Sequence, residues 1–254
     1  MLSHLLVQTN QTEAIKSQQD MVKLWRQSPN GFEVGVRVLE RQVSENPHDL
    51  LLAKLLKDIY LRELHTPDKA VALYEKLVSN NPDNISLKQE LISLYQATKR
   101  YEAVAALYKK QIGTGSGNDE WLQYQVASHL LYAGKEAEAF QYAKESLGGS
   151  SASPENLERI SRLHETANQW TEASETLTQA IRTSTNTQQS ANMSIHLGEL
   201  YIRSQKYDEA LAHLQKLRVS PELSAQQKAI VNEQIFRIYK KQGRLAELTI
   251  EAAK

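Results

Sequence analysis

Residues 195–217 read IHLGELYIRSQKYDEALAHLQKL, and the order of small and bulky side chains along them predicts two helices joined by a tight turn. Leu197, Gly198 and Tyr201 fall on one face of a first helix, Gln205 and Lys206 make the turn, and Ala210, Leu214 and Leu217 line one face of a second. Gly198 and Ala210 have almost no side chain, so the two backbones can approach closely while Tyr201 and Leu214 fill the space beside them.

The pattern recurs along the whole chain. With the small residue of each second helix as a marker, Gly35, Ala70, Ala103, Ala139, Ala173, Ala210 and, less well, Leu248 stand 35, 33, 36, 34, 37 and 38 residues apart. Four residues after the marker come Leu39, Tyr74, Leu107, Ala143, Leu177 and Leu214. Tyr60, Tyr95, Leu130, His164, Tyr201 and Tyr239 stand near the ends of the first helices. These sets keep helical spacing, and no stretch alternates long enough to predict a strand. The period and the quoted stretch resemble the tetratricopeptide repeat (TPR) family, whose signature is W-x2-L-G-x2-Y, then A-x3-F, then Pro, over about 34 residues. The resemblance implies an all-α, right-handed superhelical solenoid of about seven antiparallel helix pairs. Its units are expected over about 16–49, 50–83, 84–117, 118–152, 153–187, 188–220 and 221–254, after an N-terminal segment 1–15 that reads as the end of a preceding helix.

Proline and glycine punctuate the same period. Asn46-Pro47 and Asn81-Pro82 are expected to end second helices, because proline cannot donate to the helical ladder and pushes its predecessor out of the α region. Thr66-Pro67-Asp68, Ser153-Pro154-Glu155 and Ser220-Pro221-Glu222 each offer a hydroxyl cap, a proline for the first helical position and an acid for the positive end of the dipole, so all three read as helix starts. Gly113–Gly117, Gly148–Ser151 and Thr183–Gln188 read as polar connections. The first unit departs from the pattern with Lys23 and Arg26, and the last with Phe236 and Leu248. Two readings fit these departures: terminal units that cap the array, or a fragment of a longer protein.

Composition narrows the function. In 254 residues, 30 basic side chains balance 30 acidic ones, which disfavours a phosphate-driven nucleic-acid binder or a basic membrane patch. No apolar run reaches the length of a membrane helix, so no membrane insertion is expected. The absence of cysteine excludes disulfides and thiolate sites but does not fix the compartment. The glycine-rich stretch at 113–117 lacks the lysine and the preceding strand of a phosphate loop. The seven histidines show neither HExxH nor i, i+4 pairing, and there is no G-x-S-x-G elbow. Glu136 and Glu138 read as dipole partners on a solvated face, and Trp25, Trp121 and Trp170 as packing residues. No enzyme activity, cofactor or metal is expected.

What remains is a binding surface. In the TPR family the first helices line a concave groove, and carrying its groove positions onto this chain selects Lys54, Asp58, Arg62, Gln89, Gln96, Trp121, Tyr132, Glu158, Arg162, Glu199, Arg203, Arg237 and Lys241, with Tyr124 nearby. The candidate partner-binding residues are Lys54, Arg62, Gln89, Gln96, Tyr124, Tyr132, Arg162, Arg203, Arg237 and Lys241, a mixture suited to an extended polar peptide. Lys54 fits one position of the carboxylate clamp by which some family members hold chaperone tails, but Asp58 replaces the required asparagine and repels a carboxylate. The expectation is a protein-binding scaffold, with a recruiting arm of a larger enzyme or an RNA-processing helical scaffold as alternatives.

Overall fold

The phase of each helical hairpin is set at its turn. In the computed structural model, which describes residues 20–27, 29–47, 49–114, 118–148, 152–244 and 246, a residue with left-handed backbone stands at Asn30, His65, Lys99, Gly134, Asn168, Gln205 and Gly243. The residue after it donates its backbone N–H to the carbonyl at the tyrosine position: Arg100 to Tyr95 (2.7 Å), Lys135 to Leu130 (2.9 Å), Gln169 to His164 (2.8 Å), Lys206 to Tyr201 (2.9 Å) and Arg244 to Tyr239 (2.8 Å). This closure satisfies the last carbonyls of the first helix and reverses the chain. The turn before Pro67 is one residue longer, with the Thr66 N–H reaching Tyr60 (2.8 Å).

The chain divides after Arg100 into two compact units. The first contains α1 (Gly31–Glu45), α2 (Leu50–Arg62), α3 (Pro67–Asn80) and α4 (Ile85–Ala97). The second contains α5 (Tyr101–Lys109), α6 (Asp119–Tyr132), α7 (Glu136–Ser146), α8 (Pro154–Thr166), α9 (Trp170–Thr183), α10 (Thr187–Arg203), α11 (Tyr207–Arg218) and α12 (Ala225–Lys241). Among the described residues there is no strand. By register, even-numbered helices are the first of a pair and odd-numbered helices the second. In the second unit successive helices pack together except α7 and α8, and first helices also touch across hairpins, α6 against α8 and α10 against α12.

The markers Ala70, Ala139, Ala173 and Ala210 are completely buried. Gly35 lies under the Trp25 ring, which a Cβ at that position would strike. The marker predicted at Ala103 is off by one: Ala103 is half-buried, and Val104 occupies the closed position with Tyr108 as its bulky partner. The packed residue is the third after the first helical residue in α3, α5, α7, α9 and α11 alike, so the turn, and not residue size, decides the register. Leu248 lies outside the described residues, as do parts of the two glycine-rich connections.

Asn46 and Asn81 cap the ends of α1 and α3, the Asn81 side chain donating to the Leu77 carbonyl at 3.0 Å. Ser153 caps α8 by accepting from the Asn156 N–H at 3.2 Å, and Pro67 starts α3 without a side-chain cap. Ser220-Pro221-Glu222 does not start a helix. It forms a turn, and α12 begins at Ala225 behind Ser224, whose hydroxyl accepts from the Gln227 N–H (3.2 Å) while the Gln227 side chain accepts from the Ser224 N–H (2.9 Å). That reciprocal box satisfies two otherwise unpaired donors where a Ser-Pro start satisfies one. The delay also lets Leu223 bury itself among Leu211, Leu214, Val231 and Ile235.

Candidate functional site

In the first unit Lys54 and Arg62 on α2 and Gln89 and Gln96 on α4 are all exposed. Lys57 and Glu90 tie these two helices together at 2.6 Å. Below them Tyr60 and Tyr95 donate to Glu40 (2.6 Å) and Glu75 (2.8 Å). Burial, followed by the bond to Glu75, pushes the Tyr95 phenol up to about 12. In the first unit the tyrosine position therefore locks a first helix to a preceding second helix.

In the second unit one contact recurs at three places. The residue two after the tyrosine position lies against the aromatic that begins the preceding second helix. Tyr132 meets Tyr101 with ring centroids 5.6 Å apart, the Arg203 guanidinium stands 5.3 Å over Trp170, and the Lys241 ammonium stands 5.9 Å over Tyr207. Tyr101, Trp170 and Tyr207 are the first residues of α5, α9 and α11. They orient three candidate site residues, Arg203 and Lys241 through cation–π contacts of a type worth about 0.5–1 kcal/mol at exposed positions and Tyr132 through a tilted aromatic pair. Sequence reading missed this role, although aromatics at the same repeat position carry the signal.

The arginine series is interleaved with acids. Arg162 binds Glu158 at 2.8 Å, and Arg203 reaches Glu199 at 3.5 Å. Arg237, from the next first helix, makes a close pair with the same Glu199 carboxylate. Two guanidiniums thus converge on one carboxylate, leaving a local positive excess. His196 and Glu165 (3.1 Å) and Arg159 and Glu120 (3.3 Å) bridge neighbouring first helices in the same way.

Tyr124 is set apart from the other candidates: it is half-buried against Ala127, Ala143 and Leu163, and burial pushes its phenol up. Trp121 packs edge-on to Tyr108 at 5.7 Å, and His129 lies 5.5 Å from Tyr108 and 5.7 Å from Tyr132. The structure therefore gathers Arg203 with Arg237, places Arg162 beside its own glutamate, and puts Tyr132 in a separate aromatic cluster. Among the described residues no group of three or more histidine, aspartate or glutamate side chains is placed to hold a metal, and no helix is long and apolar enough to cross a membrane.

Two histidines are expected to make the second unit sensitive to pH. His213 bonds the Ser194 carbonyl at 2.7 Å and His129 the Gln125 carbonyl at 2.8 Å, and burial lowers the pKa of both rings. Below the ordinary histidine value the unfolded chain takes up protons that the folded chain refuses, so stability present at neutral pH is lost as pH falls. Unfolding free energies from urea titrations are expected to drop between pH 7 and pH 5, with a slope no steeper than about 1.4 kcal/mol per pH unit per ring. Substituting glutamine for His213 should make that drop shallower.

The described residues form a succession of helical hairpins. No family model matches it and no curated protein matches it. It is similar to a TPR protein from Parabacteroides merdae at 17% identity, covering 92% of this chain and 87% of that one, with a TM-score of 0.45. It is also similar to a thermophilic TPR protein of Thermus thermophilus at 17% identity, covering 73% and 99%, with a TM-score of 0.38. A third similarity is to YrrB, a TPR protein with an unusual peptide-binding site, at 15% identity, covering 70% and 90%, with a TM-score of 0.36.

Proposed function

We propose that this protein is a non-catalytic interaction scaffold whose second unit binds an extended acidic segment of a partner along its first helices. The observation that carries the reading is the convergence of Arg203 and Arg237 on Glu199. A single carboxylate neutralises one of the two guanidiniums, and both keep about half of their side-chain surface in solvent, at 52% and 44%. A partner carboxylate can bridge the pair in forked geometry. Arg162 and Lys241 extend the positive series to either side, and Tyr132 offers a ring for stacking. In the first unit Lys54, Arg62, Gln89 and Gln96 present the corresponding polar face. Tyr124 supports the floor and does not make the contact.

Selection of a random extended-peptide library on the immobilised chain at low salt tests the reading. Selected peptides are expected to be rich in aspartate and glutamate and to dissociate as salt rises. Enrichment of neutral or basic sequences would overturn it.

A further inference from the structure

The repeats of the second unit differ at one place on the second-helix side. Three residues after the marker, α7 carries Tyr142, and the Lys109 ammonium of α5 sits 5.5 Å over its ring. In α11 the same position is His213, which lies edge-on to Tyr201 at 6.0 Å and bonds the Ser194 carbonyl. The Tyr142 ring thus sits between two consecutive second helices, α5 and α7, whereas His213 packs against the first helix α10. In α9 the position is Thr176, whose hydroxyl turns back to donate to Glu172 of its own helix at 2.8 Å. A cavity of about 520 Å³ lies between α7 and α9 over α8, with Thr176 on its wall.

The walls of this cavity include Phe140, Leu157, Ile160 and His164. The His164 ring is stacked on Phe140 with centroids 4.5 Å apart. Gln169 donates its amide to Glu136 at 2.6 Å, so its carbonyl oxygen is what accepts from His164 Nδ1 at 2.7 Å. That bond leaves Nε2 as the imidazole nitrogen that can meet a ligand. Lys144 lines the cavity at the repeat position of Lys109, and Thr176 stands where Lys109 finds its aromatic ring. Among the described residues that line the cavity there is no carboxylate. The cavity of about 370 Å³ at the matching place in the first unit differs in this respect, because Glu40 lines it and accepts from Tyr60.

We propose that the cavity between α7 and α9 is a binding site for a small aromatic carboxylate. Its ring would take the place that Tyr142 fills one repeat earlier, beneath Lys144, and its acid group would pair with that ammonium. The volume lies within the ordinary range for small-molecule sites, and an apolar pocket with a few polar groups at its rim is their usual composition. The site lies on the second-helix side and is independent of the arginine pair on the first helices.

Titration calorimetry of the full chain with 3-(4-hydroxyphenyl)propionate tests it. One site per chain is expected. Thr176→Tyr, which transplants the neighbouring repeat's own filler, should abolish binding while the circular dichroism melt stays that of the parent. The surface variant Lys144→Gln should weaken binding about fivefold, as loss of an exposed cation contact implies. Tyramine, with the same ring and the opposite charge, should not bind. Absence of heat with the carboxylate overturns the proposal, as does undiminished binding by both Thr176→Tyr and Lys144→Gln. Equal binding of tyramine overturns the assignment to an anion.

Discussion

Leu214→Ala is expected to cost about 2–5 kcal/mol, and adding Gly198→Ala should restore part of the loss. Leu214 is completely buried, so truncation forfeits the transfer free energy of its methyl groups and leaves a cavity among well-packed neighbours. Gly198 faces it: a Cβ there would stand 2.5 Å from Leu214 Cδ2 and 3.0 Å from Cγ. In the parent, Gly198→Ala must push a fully packed side chain aside, which costs about 1–3 kcal/mol. With Leu214 shortened the clash with it disappears, leaving the Gln234 side-chain oxygen at 3.1 Å to give way; the new methyl fills part of the void, and alanine gains about 1 kcal/mol of helix propensity over glycine. Urea midpoints for the two single variants and the double complete the cycle. A double variant less stable than Leu214→Ala alone would show that close approach of α10 and α11 is not what requires glycine at this position.

Neutralising Arg203 and Arg237 together is expected to weaken selected acidic peptides about tenfold or more while barely moving the melting temperature. Both pairs with Glu199 are exposed, and such pairs contribute no more than about 1 kcal/mol each. Glutamine is a better replacement than glutamate, because reversal would crowd two further carboxylates against Glu199, whose side chain is only 25% exposed. Fluorescence anisotropy of a labelled selected peptide reads the affinity, and a salt series should flatten in the variant. Unchanged affinity would move the site away from α10 and α12, with Trp121 and Tyr132 as the next surface to mutate.

Much of the architecture was legible in residue order because its causes are local. Helical spacing of Leu197, Tyr201 and Leu214, the Asn-Pro stops and the period of the markers all act within a hairpin, and each appears in the structure as a helix or a cap. Two local readings failed where a competing local signal prevailed. Ala103 yielded to Val104 because the left-handed residue at Lys99 sets the phase of α5. Ser220-Pro221 yielded to Ser224 because the box with Gln227 satisfies both backbone donors.

The site was decided elsewhere. Sequence spacing placed Arg203 and Arg237 at matching or adjacent repeat positions, but the sharing of Glu199 depends on the stagger of α10 against α12. Arg203 rests on Trp170, and Lys241 on Tyr207, because a turn in one hairpin meets the start of a second helix in the hairpin before it. The cavity beside Thr176 stands out by comparison with Tyr142, whose ring meets Lys109 one layer earlier. Helical periodicity is a property of residues three or four apart, and the sequence by itself determined that much. Which charge meets which ring, and which gap stays open, involves residues a full repeat apart, and only tertiary packing brings those together.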